Sequence, residues 1–167
     1  MKHLLRSALL FIAILSAQHL IAQNVMINVL TQNSGIVKKN EIIFFEVTIS
    51  NTSATTSVPA YKLKPQISFP GNIVIVPTSG HKLPSGWTIL SNNNGVVVLS
   101  NGTDIIPENQ SRTILISVKG TNAGGPSSIV ANLGFSNGTA PGNAAGSTTA
   151  GDNIADNASS STIKVIN

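Results

Sequence analysis

The sequence predicts an all-β protein, a single antiparallel β-sandwich, and three observations carry that prediction. Apolar residues recur at every second position through most of the chain after residue 24, the period of a half-buried strand. Clusters of Gly, Pro and Asn interrupt the alternation at short intervals. No window shows a sustained apolar stripe of period 3.6 with start and stop signals, which rules against a helical domain. Many short strands at such spacing form a sandwich or a barrel, and the sandwich is the commoner outcome at this length.

The first strand is expected over residues 25–31. The alternation is clearest in Ile43, Phe45, Val47 and Ile49, interleaved with Ile42, Phe44, Glu46, Thr48 and Ser50. This reads as a strand with one fully buried face, and Ile42 and Phe44 on the other face imply cover on both sides at its start. Further strands are predicted at 61–69, with Leu63 and Ile67 inward, and at 73–76, 87–90, 96–99, 113–118, 128–135 and 160–166. Pro65 has no N–H to give to a ladder, so it belongs at an edge or a bulge. The turns between strands are Asn33-Ser34-Gly35, Pro70-Gly71-Asn72, Pro84-Ser85-Gly86, Asn92-Asn93-Asn94-Gly95, Asn101-Gly102 and Gly124-Gly125-Pro126. Such residues supply positive φ angles or a pre-set proline φ. Residues 137–157, dominated by Gly, Ala, Ser, Thr and Asn, read as one long loop.

The N-terminus reads as a secretory signal peptide over residues 1–22, leaving one domain over 23–167. Lys2, His3 and Arg6 form a positive start, Ala8 to Leu15 an apolar core, and Leu20-Ile21-Ala22 a cleavage region before Gln23. Ser16, Gln18 and His19 interrupt the apolar run well short of the roughly 20 residues a bilayer span requires. The expected setting is export, whether secreted, periplasmic or cell-surface, with no membrane span after cleavage. Removing Lys2 and Arg6 from the ten basic residues leaves eight against six acidic ones, scattered singly apart from Lys38-Lys39, so nucleic acid is not an expected partner.

The chain has no cysteine, which removes disulfide stapling, thiolate catalysis and thiolate metal sites together. After cleavage the only histidine is His81, set in a polar loop, and no Gly-x-Ser-x-Gly elbow is present to expose a nucleophile. Paired carboxylates would have to come from Glu41, Glu46, Asp104, Glu108, Asp152 and Asp156, and nothing in their spacing marks a catalytic pair. No enzymatic activity is expected.

Four segments resemble, in order, the DUF11-type repeat domain of bacterial and archaeal surface and secreted proteins. Residues 45–52, Phe-Glu-Val-Thr-Ile-Ser-Asn-Thr, look like its early strand and Asn-Thr turn; Leu83-Pro84-Ser85-Gly86-Trp87 is similar to its Leu-Pro-x-Gly-Trp turn. Ile106-Pro107 with the strand after it, and Gly151-Asp152 with Asn157-Ala158 before the last strand, complete the series. The family often has a proline near Ala155-Asp156, and it usually occurs in tandem where this chain has one copy. The resemblance implies an immunoglobulin-like sandwich in a cell-envelope setting and no reaction. Trp87, just after its turn, is expected to cover the sandwich end while its N–H finds a carbonyl.

Asp152, Asn153, Asp156 and Asn157 offer two carboxylates and two amides in a flexible loop. They suit turn-stabilising Asx hydrogen bonds, or calcium through hard oxygen ligands, although the Asp-x-Asp-x-Asp-Gly loop is missing. Sequons at Asn51, Asn101, Asn109, Asn137 and Asn157 would place glycans on surface loops in a eukaryote; in a chain of bacterial character they read as coincidence. The expected role is a structural or adhesive module whose partner is a protein or polysaccharide at the cell envelope. Two alternatives accompany it. A carbohydrate-binding module would use Phe44 and Tyr61 as sugar platforms, and a fibre or surface-layer subunit would self-associate by strand addition at residues 25–30 or 163–166.

Overall fold

The structure, a computed structural model, describes residues 24–76, 80–136, 152 and 154–167. The described residues form ten strands in two sheets. One sheet has the order β1 (Val25–Thr31), β3 (Ile42–Asn51), β8 (Ser111–Gly120), β5 (Ile73–Ile75); the other runs β2 (Ile36–Lys38), β10 (Ala158–Ile166), β9 (Gly124–Asn132), β4 (Gln66–Ser68), β7 (Val96–Ser100), β6 (Thr88–Asn93). The predicted leader, the 1–22 boundary and most of the predicted 137–157 loop lie outside the described residues. Among the described residues no helix is long and apolar enough to cross a membrane.

The two inner faces meet in one apolar core, because strand parity puts every second side chain there. From β3 come Ile43, Phe45, Val47 and Ile49, from β8 Ile114, Ile116 and Val118, and from the facing sheet Ile67, Val97, Leu99, Ile129, Ile163 and Val165, all buried. Phe45 meets Phe69 edge-to-face with ring centroids 5.3 Å apart, the arrangement the ring quadrupoles favour. The fold class is as the sequence predicts, with differences in detail, among them that Gly124-Gly125-Pro126, expected as a turn, opens β9. The tenth strand, β2, was not foreseen because three residues with one buried side chain, Val37, give no alternation to read. It pairs with β10 in parallel, so the sandwich is not wholly antiparallel. The strand expected over 61–69 shortens to Gln66–Ser68, although Leu63 and Ile67 do point inward. Pro65 is at neither an edge nor a bulge. It sits just before β4, an interior strand, where a missing N–H costs no ladder bond while its carbonyl accepts from Leu99.

The two terminal strands close one side of the sandwich together. Val29 N–H donates to Ser159 Oγ at 3.2 Å, Thr31 Oγ1 donates to the Thr162 carbonyl, and Thr31 and Ser161 share a hydroxyl contact at 3.2 Å. The chain turns away at Gly35 with φ +74, where a Cβ would lie 2.4 Å from the Thr162 carbonyl oxygen, so only glycine fits. Of the two readings open for the terminal strands, closing their own sandwich or offering edges for strand addition, the contacts favour the first. Residues 164–166 are paired with β2 on one side while β9 flanks the strand on the other, and β1 spends outward donors on β10.

Candidate functional site

Most buried polar chemistry gathers at one end of the sandwich, in the loops around residues 51–64, 84–87 and 101–112. Asn51 continues the inward parity of Phe45, Val47 and Ile49, and so delivers an amide to the rim of the core, fully buried. Its Nδ2 donates to the carbonyls of Thr56, Ile106 and Pro107 at 2.8, 3.1 and 3.1 Å, and its Oδ1 accepts Ser53 N–H at 3.1 Å. Asn101 repeats the device one residue beyond β7, in phase with Val97 and Leu99. It is fully buried, donates to the Pro59 and Asp104 carbonyls, and accepts Leu63 N–H at 2.9 Å.

Sequence reasoning missed this role, treating both asparagines as turn residues or sequons. The signal was in the parity, since each lies an even number of positions from a run of core residues. Burial and complete hydrogen bonding leave neither amide free for glycan attachment.

Beside them, Asp104 gathers three donors. Trp87 Nε1 lies 2.7 Å from its Oδ2, Arg112 Nε 2.8 Å from the same oxygen, and Arg112 Nη2 3.1 Å from Oδ1. Trp87 is buried as expected, but its N–H partner is a carboxylate, not a carbonyl, because Gly86 at φ +83 brings the turn against residue 104. The fork-shaped ion pair holds β8 to the loop.

The remaining acids are spent singly. Glu41 accepts Lys38 N–H, Glu46 stands on the outer face of β3, and Glu108 accepts Ser57 Oγ at 2.7 Å, a hydrogen bond that holds its carboxyl below the usual range. Among the described residues no three His, Asp or Glu side chains converge. Of the four loop residues considered for calcium, Asp152 and Asn157 are brought together: Asp152 Oδ1 accepts Val25 N–H at 3.1 Å and Oδ2 accepts Asn157 Nδ2 at 2.6 Å. Asp156 ends a short 3-10 turn, and Asn153 lies outside the described residues.

Phe44 and Tyr61 do not form an exposed platform. Both are half-buried, Lys82 Nζ sits 5.1 Å over the Phe44 ring, and Tyr61 belongs to the loop end, far along the chain and on a different element. His81 accepts Ser117 N–H on Nδ1 at 2.9 Å, and partial burial lowers its pKa. A protonated ring cannot accept that bond. Because the folded pKa lies below the unfolded value, His81 contributes stability above about pH 6.5 that is lost as pH falls through the folded pKa. The melting temperature is therefore expected to fall between pH 7.5 and pH 5, and His81→Gln to flatten that part of the profile.

No family model matches the chain, and no curated protein matches it. Among solved structures, the CARDB domain of a Pyrococcus furiosus protein, determined in solution, is 13% identical with a TM-score of 0.50, covering 87% of this chain and 96% of that one. A cohesin module from a Clostridium perfringens family 33 glycoside hydrolase is 14% identical with a TM-score of 0.48, over 85% of this chain and 98% of that one. A Nocardia farcinica protein with an immunoglobulin-like fold is 17% identical with a TM-score of 0.40, over 82% and 98%. The chain is an all-β sandwich of two sheets, a fold it shares with the CARDB domain. At these identities the likeness is one of fold and carries no activity.

Proposed function

We propose that the chain is an exported, non-enzymatic structural or adhesive module of the cell envelope, binding or spacing other envelope components through its surface. The observation that carries this reading is where the polar side chains go. Asn51, Asn101, Asp104, Arg112 and Trp87, the groups from which a site would be built, are consumed in holding loops to the sandwich. The leader-like N-terminus supports export, and the resemblance to the DUF11-type repeat supports an envelope setting. The partner on this reading is a protein or a polysaccharide.

The test is twofold. Expressed from its natural start, the chain should appear outside the cytoplasm shortened near residue 22, and the purified product should not turn over a panel of esters, peptides and glycosides. Cytoplasmic retention would overturn export, and turnover abolished by one point change would overturn the non-enzymatic reading.

For the Asp152–Asn157 loop we propose turn-stabilising hydrogen bonds, since the Asp152 carboxylate already accepts from Val25 and Asn157. Neither EDTA nor millimolar calcium should move the melting temperature by more than about a degree. A calcium-dependent rise of several degrees, abolished by Asp152→Asn, would make this loop a calcium site.

A further inference from the structure

The outer face of the four-stranded sheet carries a row pattern that is complementary to itself. Cross-strand pairing places Leu30, Glu46, Leu115 and Lys82 side by side in one row, Phe44 and Ser117 in the next, and Ile42, Lys119 and Val74 in the third. Leu30 and Ile42 are each 55% exposed and Val74 44% exposed, while Leu115 is half-buried, so three of the four apolar members of the outer rows stand open to solvent. Glu46 and Lys119 form no ion pair among the described residues.

The two outer rows read apolar, acid, apolar, base and apolar, base, apolar, displaced from each other by one strand. A two-fold axis lying in the face and crossing the strands obliquely along the Phe44 row superposes them with opposite sign. It sets Leu30 of one copy on Ile42 of the other, Leu115 on Val74, and Glu46 on Lys119, with the two Phe44 rings near the axis. Twisted sheets pack face to face with strands crossing at roughly 30°, so an oblique axis is what this packing requires.

We propose that this face is a homodimer interface, with a second copy of the chain as its occupant. Self-association then runs through the face of the small sheet and not through the edges of β1 and β10, which are engaged with each other. Four strands offer little area, at the low end of specific interfaces, so the dimer is weak, with a dissociation constant of roughly tens of micromolar. The inference is independent of the adhesive reading: a monomer would overturn it and leave that reading untouched.

Sedimentation velocity from about 5 μM to 1 mM tests it. The native chain should dimerise, and Glu46→Lys or Lys119→Glu alone should weaken the dimer at least tenfold by setting like charges together. The two exchanges combined should restore it to within about threefold. All three variants sit on an exposed face, and circular dichroism confirms their fold. Ile42→Asp should also abolish the dimer. A monomer at every concentration overturns the proposal, as does a dimer that ignores all the substitutions or is not rescued by the double exchange.

Discussion

Asn51→Leu is expected to cost roughly 3 kcal/mol of stability, among the largest effects of any single polar substitution in the chain. The side chain is fully buried and closes four hydrogen bonds to backbone groups of two loops. Leucine fills a similar volume, so the loss would come from the Thr56 carbonyl and the Ser53 N–H left without their partner in a low-dielectric rim, and from the second bond lost at the Ile106 and Pro107 carbonyls, which keep the N–H groups of Val58 and Gln110. Asn51→Asp should be no better, because it offers acceptors to carbonyls that need a donor. Asn109, an exposed turn residue carrying the same sequon, is the control, and Asn109→Ala should change little beyond the loss of an easy positive φ. Urea unfolding reads the difference as a lower midpoint at unchanged slope.

Asp104→Ala is expected to cost about 2 kcal/mol. Removing the carboxylate strands the Trp87 indole N–H, in a residue only 5% exposed, and leaves the Arg112 guanidinium paired only with backbone carbonyls. The arginine side chain is 25% exposed and the aspartate 12%, so solvent screens part of the charge interaction and the figure stays below that for a buried pair. Trp87→Phe keeps most of the packing and loses one donor, so it should cost about 1 kcal/mol. Because the three groups share one carboxylate, the single losses should exceed the loss in the triple variant when added together. Additive losses would mean that the three contacts are energetically separate.

Much of the fold was legible in the sequence because its core is written in period-2 alternation. The run from Ile43 to Ile49 fixes a strand and its buried face with no reference to any partner, and Asn94-Gly95 marks the β6–β7 turn through its positive φ angles. What was not legible depends on contacts between distant segments. Three-residue β2 exists because β10 lies beside it, and nothing local in Ile36–Lys38 predicts a parallel pairing. Pro65 looked like an edge marker because the alternation ran on both sides of it, whereas the true strand begins after it. At the loop end the same separation holds. Parity could have shown that Asn51 and Asn101 face inward, but their partners, at Ile106 and Pro59, lie 55 and 42 residues away in sequence. The Asp104–Trp87 pairing is likewise set by how two turns meet.

On the proposed function, the polar side chains at this end rigidify loops and are not held ready for chemistry. Hydrogen exchange, resolved by residue, tests it directly. The amides of Ser53, Val58, Leu63, Asp104 and Ile106 have named acceptors at this end, and they should exchange within an order of magnitude of the β3 and β8 core. Loops that exchange at nearly the rate of an unfolded chain, while the strands stay protected, would contradict the account and point to a mobile end of the kind a binding or catalytic site uses.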